Sequence, residues 1–232
     1  MEISADIRSL GTLEFLLSDS KNTHSTIAEF TYLVNTLQSK RDKFPSDRQF
    51  LQHVYRFVHR KSLKKYKKYV TLEETLSKPG YYDCLTGTLL YSLILDELGF
   101  DITIREFNYH VLLIVSLDKH KILIESTDPV NGFVVGEQAI AQRIADYKEE
   151  DASKKRYSVY GFTKAIDKEI SVAQLVGLHF YNQAISYLNN LDMKGALPNI
   201  SKAYALYPCE RIREISKLIN TDRLKGLLAT SD

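Results

Sequence analysis

Cys84 stands in the run Gly80-Tyr81-Tyr82-Asp83-Cys84-Leu85-Thr86-Gly87, where a turn gives way to an apolar helix. A thiol attacks carbonyl carbon only as thiolate. The first turn of a helix favours that form, because its unpaired N–H groups and dipole stabilise negative charge. Thiol catalysis also needs a base for the thiol proton, a group that orients the base, and donors for the oxyanion. Of the six histidines, His110 opens an apolar strand, Val111-Leu112-Leu113-Ile114-Val115, and is the candidate base. If the following hairpin turns at Asp118-Lys119, His110 lies across from Thr127 and Glu125 lies diagonally opposite on the same face. Strand parity therefore favours Glu125 as the orienter. Asp128 has the other parity and joins the site only if the chain bends before Pro129, so it stays open as an alternative. Asp83, as helix N-cap, places a charge beside the thiol that His110 must outweigh. One oxyanion donor would be the Cys84 N–H; Tyr81, Tyr82 or a residue of the N-terminal helices is open as the second.

The elements that must position these groups are legible from periodicity. Residues 1–45 read as helices, with Ile7, Leu10, Leu13 and Leu17 on one stripe and Ile27, Phe30, Tyr32, Leu33 and Leu37 on another. Ser46 caps a helix carrying Phe50, Leu51, Val54, Phe57 and Val58 at helical spacing. The basic stretch from Arg56 to Lys68, with Tyr66 and Tyr69, reads as a solvated amphipathic helix in preference to a nucleic-acid surface. A short helix, Leu72 to Leu76, ends at the Pro79-Gly80 turn. The helix from Asp83 to Gly99 is apolar on nearly every side and should be the central buried helix. Strands follow at Asp101 to Phe107, His110 to Val115, Lys121 to Ile124 and Phe133 to Val135. A helix is expected from Gln138 to Tyr147, then a charged linker, Lys148 to Arg156, and a closing strand from Tyr157 to Phe162. This is an α+β pattern: helices, a buried Cys-bearing helix, and an antiparallel sheet. The C-terminal part differs, with helices from Leu175 to Leu188 and from Met193 to Tyr207 and a further one from Glu210 to Ile219. The boundary is placed between residues 165 and 166.

Cysteine at a helix start, histidine opening a strand and an acid ending the hairpin partner resemble the transglutaminase-like superfamily, relatives of the papain-like cysteine enzymes. The resemblance covers roughly residues 48–136. Ala184, Tyr187, Ala196, Ile200, Ala203 and Pro208 fall at offsets similar to a tetratricopeptide repeat. Some bacterial transglutaminase-like proteins also carry such a segment after the core. The resemblance implies a papain-like transglutaminase core in 1–165 and a tetratricopeptide-like segment in 166–232. It also implies a cysteine hydrolase or acyltransferase that forms an acyl-thioester on Cys84 from a peptide-type amide or an ester, with Cys84, His110 and Glu125 or Asp128 as the catalytic set. The family usually has Gly two residues before the nucleophile and Asp as third member, where this chain has Tyr82 and Glu125. With no Trp in the chain, an indole oxyanion donor is excluded. The alternative is the same fold without catalysis, serving as a protein-interaction module through its helical segment.

Bulk properties frame the setting. A chain of 232 residues, 44% apolar and 26% charged, has the composition of a folded globular protein. Lys plus Arg number 31 against 29 Asp plus Glu, which points away from nucleic acid and from an anionic membrane surface. Glu2, Asp6, Arg8, Glu14 and Asp19 interrupt any signal-peptide core. No uncharged apolar run is long enough to span a bilayer. Two distant cysteines make no disulfide framework, so a reducing cytoplasm is the expected compartment. Neither cysteine lies in metal-ligand spacing and the glycines form no phosphate loop, so no metal or cofactor is expected. The expected partners are a protein or peptide substrate and a protein bound through the helical segment.

Overall fold

The structure, a computed structural model, describes residues 9–118, 120–154 and 166–220, without the side chains of 150–154. The chain divides into two compact units, Met1–Ile170 and Ser171–Asp232.

In the first unit, α1 (Leu10–Leu16) and α2 (Thr23–Gln38) bury Leu13, Phe30, Leu33 and Leu37. Tyr32 points out and Val34 takes its expected place in the core. Helix α3 (Asp47–Lys61) starts at Ser46, whose hydroxyl accepts the Gln49 N–H at 3.3 Å. The basic stretch does not continue as a helix. Ser62 ends α3, Leu63 is buried, and Lys65–Tyr66 form a short strand, β1, parallel to β2 (Tyr81–Tyr82). The β1 amides reach β2 because Gly80 adopts φ 79 with its missing Cβ facing the Ser62 carbonyl, a place only glycine fills. Between the two strands lies α4 (Leu72–Leu76), begun by a reciprocal capping box of Thr71 and Glu74.

Helix α5 (Cys84–Glu97) is buried continuously from Leu85 to Leu95, as its apolar surround requires. It packs on a five-stranded antiparallel sheet of order β6-β5-β4-β3-β7. These strands are β3 (Asp101–Phe107), β4 (Val111–Leu117), β5 (His120–Ile124), β6 (Phe133–Val135) and β7 (Asp167–Ile170). Strand β4 is apolar without a break from Val111 to Val115 because both its faces are covered there. Leu112 and Ile114 join Phe107, Leu123 and Ile140 under α6 (Glu137–Lys154). Val111, Leu113 and Val115, of opposite parity, are buried on the side of α5.

Helix α6 runs on through residues 148–154, which the charged composition assigned to a linker. The closing strand expected at Tyr157 to Phe162 lies outside the described residues. The edge strand on β3 that the structure shows is β7, which carries the first unit to Ile170.

The second unit holds α7 (Val172–Asn189), α8 (Met193–Leu206) and α9 (Glu210–Asn220). Small residues let α7 and α8 approach: Ala184, Ala196 and Ala203 are fully buried, and a Cβ on Gly177 would meet the Tyr207 side chain at 2.8 Å. No described helix is long and apolar enough to cross a membrane.

Candidate active site

Cys84 is the first residue of α5 and is partly exposed. The Asp83 carboxylate before it is spent on the helix start. One oxygen accepts the Thr86 N–H at 2.8 Å and the Thr86 hydroxyl at 3.1 Å; the other accepts the Tyr69 N–H at 3.1 Å. Burial raises the Asp83 pKa against these bonds. Asp83 thus caps α5 and ties it to the loop after β1. The Cys84 N–H, at the first helical position, has no intrahelical acceptor, and no bond to it is formed among the described residues.

His110 follows a two-residue turn, Asn108-Tyr109, closed by the Phe107 N–H on the His110 carbonyl at 2.8 Å. On the next hairpin Leu117 pairs with His120 and Leu113 with Ile124, so the register continues His110 toward Thr127 and puts Glu125 on the His110 face. The His110 Nε2 bonds Glu125 Oε2. The Cys84 thiol lies near enough to the ring to raise its pKa, and with Nε2 engaged on Glu125 it is Nδ1 that remains for the thiol. Cys84, His110 and Glu125 therefore come together around one imidazole, which is hydrogen-bonded to the carboxylate and near the thiol.

Burial opposes a charged His110, but the nearby Cys84 and the bonded Glu125 outweigh it and raise the pKa to about 10. Burial also opposes a charged Glu125. There the His110, Thr127 and Tyr147 bonds prevail and hold the carboxyl at about 2. All of this carboxylate's capacity is used: Oε1 accepts the Thr127 N–H at 2.8 Å and its hydroxyl at 2.6 Å, and Oε2 accepts the Tyr147 hydroxyl at 2.6 Å besides the imidazole.

Asp128 is not brought to the imidazole. Its carboxylate accepts the Asn131 N–H at 2.9 Å and pairs with Arg143 at 3.3 Å, while its carbonyl accepts the Gly132 N–H at 2.8 Å and the Tyr55 hydroxyl. It shapes the turn behind Glu125. A Cβ on Gly132 would meet the carbonyls of Glu125 and Asp128 and the Tyr55 hydroxyl, so this turn closes only around glycine.

Three groups were missed in the sequence reading. Tyr147, on α6, stacks on His110 with ring centroids 4.4 Å apart and 15° between planes. Burial and the nearby Glu125 raise its phenol pKa well above the ordinary value, which keeps it a donor. Its helix was legible, but spacing alone does not say which residue of a helix covers a histidine on a strand. His59, on α3, is buried, and both its ring nitrogens lack a partner among the described residues. Burial lowers its pKa to about 4 against the pull of Glu125 and Asp128, so it is neutral near pH 7. Tyr66, on β1, stands edge-on to Tyr82 at 6.1 Å, with its phenol near enough to Cys84 to interact electrostatically. Of the two donors weighed from sequence, Tyr82 is buried against His59 and Gly87, and Tyr81 carries the Lys67 ammonium 5.1 Å over its ring.

Among the described residues no three His, Cys, Asp or Glu side chains gather as a metal-ligand set. Comparison of the chain with protein-family models, with curated proteins and with solved structures finds no match.

Proposed function

We propose that the protein is a cysteine-dependent hydrolase or acyltransferase with a transglutaminase-like, papain-like core, acting on a peptide-type amide or an ester. The observation that carries this reading is the His110–Glu125 pair beside Cys84, with the carboxylate fully buried and four hydrogen bonds around it. An isolated buried cysteine needs no such support. In the reaction His110 holds the thiol proton and the Cys84 sulfur attacks the carbonyl carbon. The C–S bond forms as the carbonyl π pair moves onto oxygen, where the Cys84 N–H donates. Collapse of this intermediate expels the amine, which takes its proton from His110, and leaves an acyl-thioester. Water or a second amine, deprotonated by His110, then releases the acyl group. Glu125 keeps the ring in one orientation and supports its positive charge, as the acidic member of a triad does.

The helical unit is read as one tetratricopeptide-like repeat with a following helix, a surface for a protein partner. The α7 and α8 pair, closed by small residues at Gly177, Ala184, Ala196 and Ala203, supports that resemblance.

The test is a covalent one. Incubation with p-nitrophenyl acetate should add one acetyl group to Cys84, seen by intact mass and peptide mapping and removed on longer incubation. Cys84→Ala should abolish it. A wild-type chain whose Cys84 stays unmodified would instead fit a fold kept for interaction alone.

A further inference from the structure

Resting on that reading of Cys84, we infer that the Tyr66 hydroxyl is the second oxyanion donor, working with the Cys84 N–H. The placement begins with backbone geometry. The parallel pair β1 and β2 sets Tyr66 directly beside Tyr82, two residues before the nucleophile, and the Lys67 N–H bonds the Tyr82 carbonyl at 2.9 Å. Partners in a parallel pair project to the same side, and the two rings meet edge-on. The loop after Tyr66 is anchored to the same helix start, because the Tyr69 N–H bonds the Asp83 carboxylate. Tyr66 is thus tied to the first turn of α5 from both sides.

Its remaining properties suit a donor to substrate. The Tyr66 residue is 56% exposed, so a substrate carbonyl can reach it, whereas Tyr82 at 6% is closed off. No hydrogen bond to the Tyr66 hydroxyl is formed among the described residues, so the proton is available. Burial of part of the ring, then the nearby Cys84 and Asp83, raise its pKa, which keeps the phenol protonated at neutral pH. When the thiolate attacks, the carbonyl oxygen acquires the electron pair of the broken π bond. Both donors then bind a full negative charge, which strengthens them over the ground state.

The experiment compares two reactions at one sulfur. Acetylation by p-nitrophenyl acetate passes through an oxyanion; alkylation by iodoacetamide does not. In Tyr66→Phe, acetylation of Cys84 should slow on the order of 100-fold while alkylation keeps its wild-type rate. Acetylation within about threefold of wild type overturns the assignment. An equal fall in both rates also overturns it, since Tyr66 would then act on the thiol itself. A wild-type chain that is alkylated but never acetylated removes both this role and the proposed function, whereas wild-type acetylation with an indifferent Tyr66→Phe removes only the role.

Discussion

His110 and Glu125 keep each other charged, and the sign of each shift sets a pH window. Glu125 has its folded pKa at about 2, below the ordinary value, so its contribution to stability is present above the ordinary carboxylate range and is lost as pH falls toward 2. His110, raised to about 10, contributes fully below about pH 6.5, and this is lost as pH rises through 10. His59 works the other way. Lowered to about 4, it makes the fold less stable as pH falls from about 6.5 to 4, because the unfolded chain takes up the proton first. Replacing Glu125 with Gln should bring the His110 midpoint, followed by imidazole NMR, down from about 10. A midpoint that stays there would deny Glu125 its role. His59→Phe keeps the ring packing and removes the buried nitrogens. The drop in urea midpoint between pH 7 and pH 5 should be smaller in this variant than in wild type, and an equal drop would contradict the assignment.

At the scale of elements, the site is a meeting of four segments: the start of α5, the start of β4, the end of β5 and the middle of α6. Their approach is close. A Cβ on Gly87 would lie 2.7 Å from the Ser126 side chain, whose hydroxyl bonds the Cys84 carbonyl at 3.2 Å. Gly87→Ala should therefore destabilise the fold by about 1–3 kcal/mol, measured by urea unfolding, and slow labelling of Cys84 as the Ser126 turn is pushed back. A neutral substitution would show that the turn yields freely. The register behind this site was legible in the sequence, since a turn at Asp118-Lys119 fixes the parity of every residue on β4 and β5, Glu125 included. So was α5, whose apolar surround admits only a central position. Strand β1 was not, because two residues carry no periodicity and the lysines around Tyr66 mimic an exposed helix. Tyr147 and Arg143 were hidden for a different reason. Their contacts depend on how α6 lies across the sheet, which no local pattern encodes.

Over the whole molecule, Cys84, His110, Glu125, Tyr147 and Tyr66 all belong to the first unit, Met1–Ile170, which has its own sheet and buried helix. A chain ending at Ile170 should keep the reactivity of Cys84, read as its iodoacetamide labelling rate; loss of that reactivity in a folded fragment would show that the site needs the helical unit. The boundary read from sequence fell short of Ile170 because β7 is a short strand with charged, outward Lys168 and Glu169, unlike an apolar closing strand. His110 is proposed to activate Cys84, and the chain carries its own reference, since Cys209 is a free and partly exposed thiol in the other unit. The most direct measurement is the ratio of iodoacetamide labelling at Cys84 to that at Cys209 at about pH 6, where ordinary thiols are almost wholly protonated. Wild type should show a ratio of at least about tenfold that collapses toward one in His110→Ala. A wild-type ratio near one, or a ratio indifferent to His110, would contradict it.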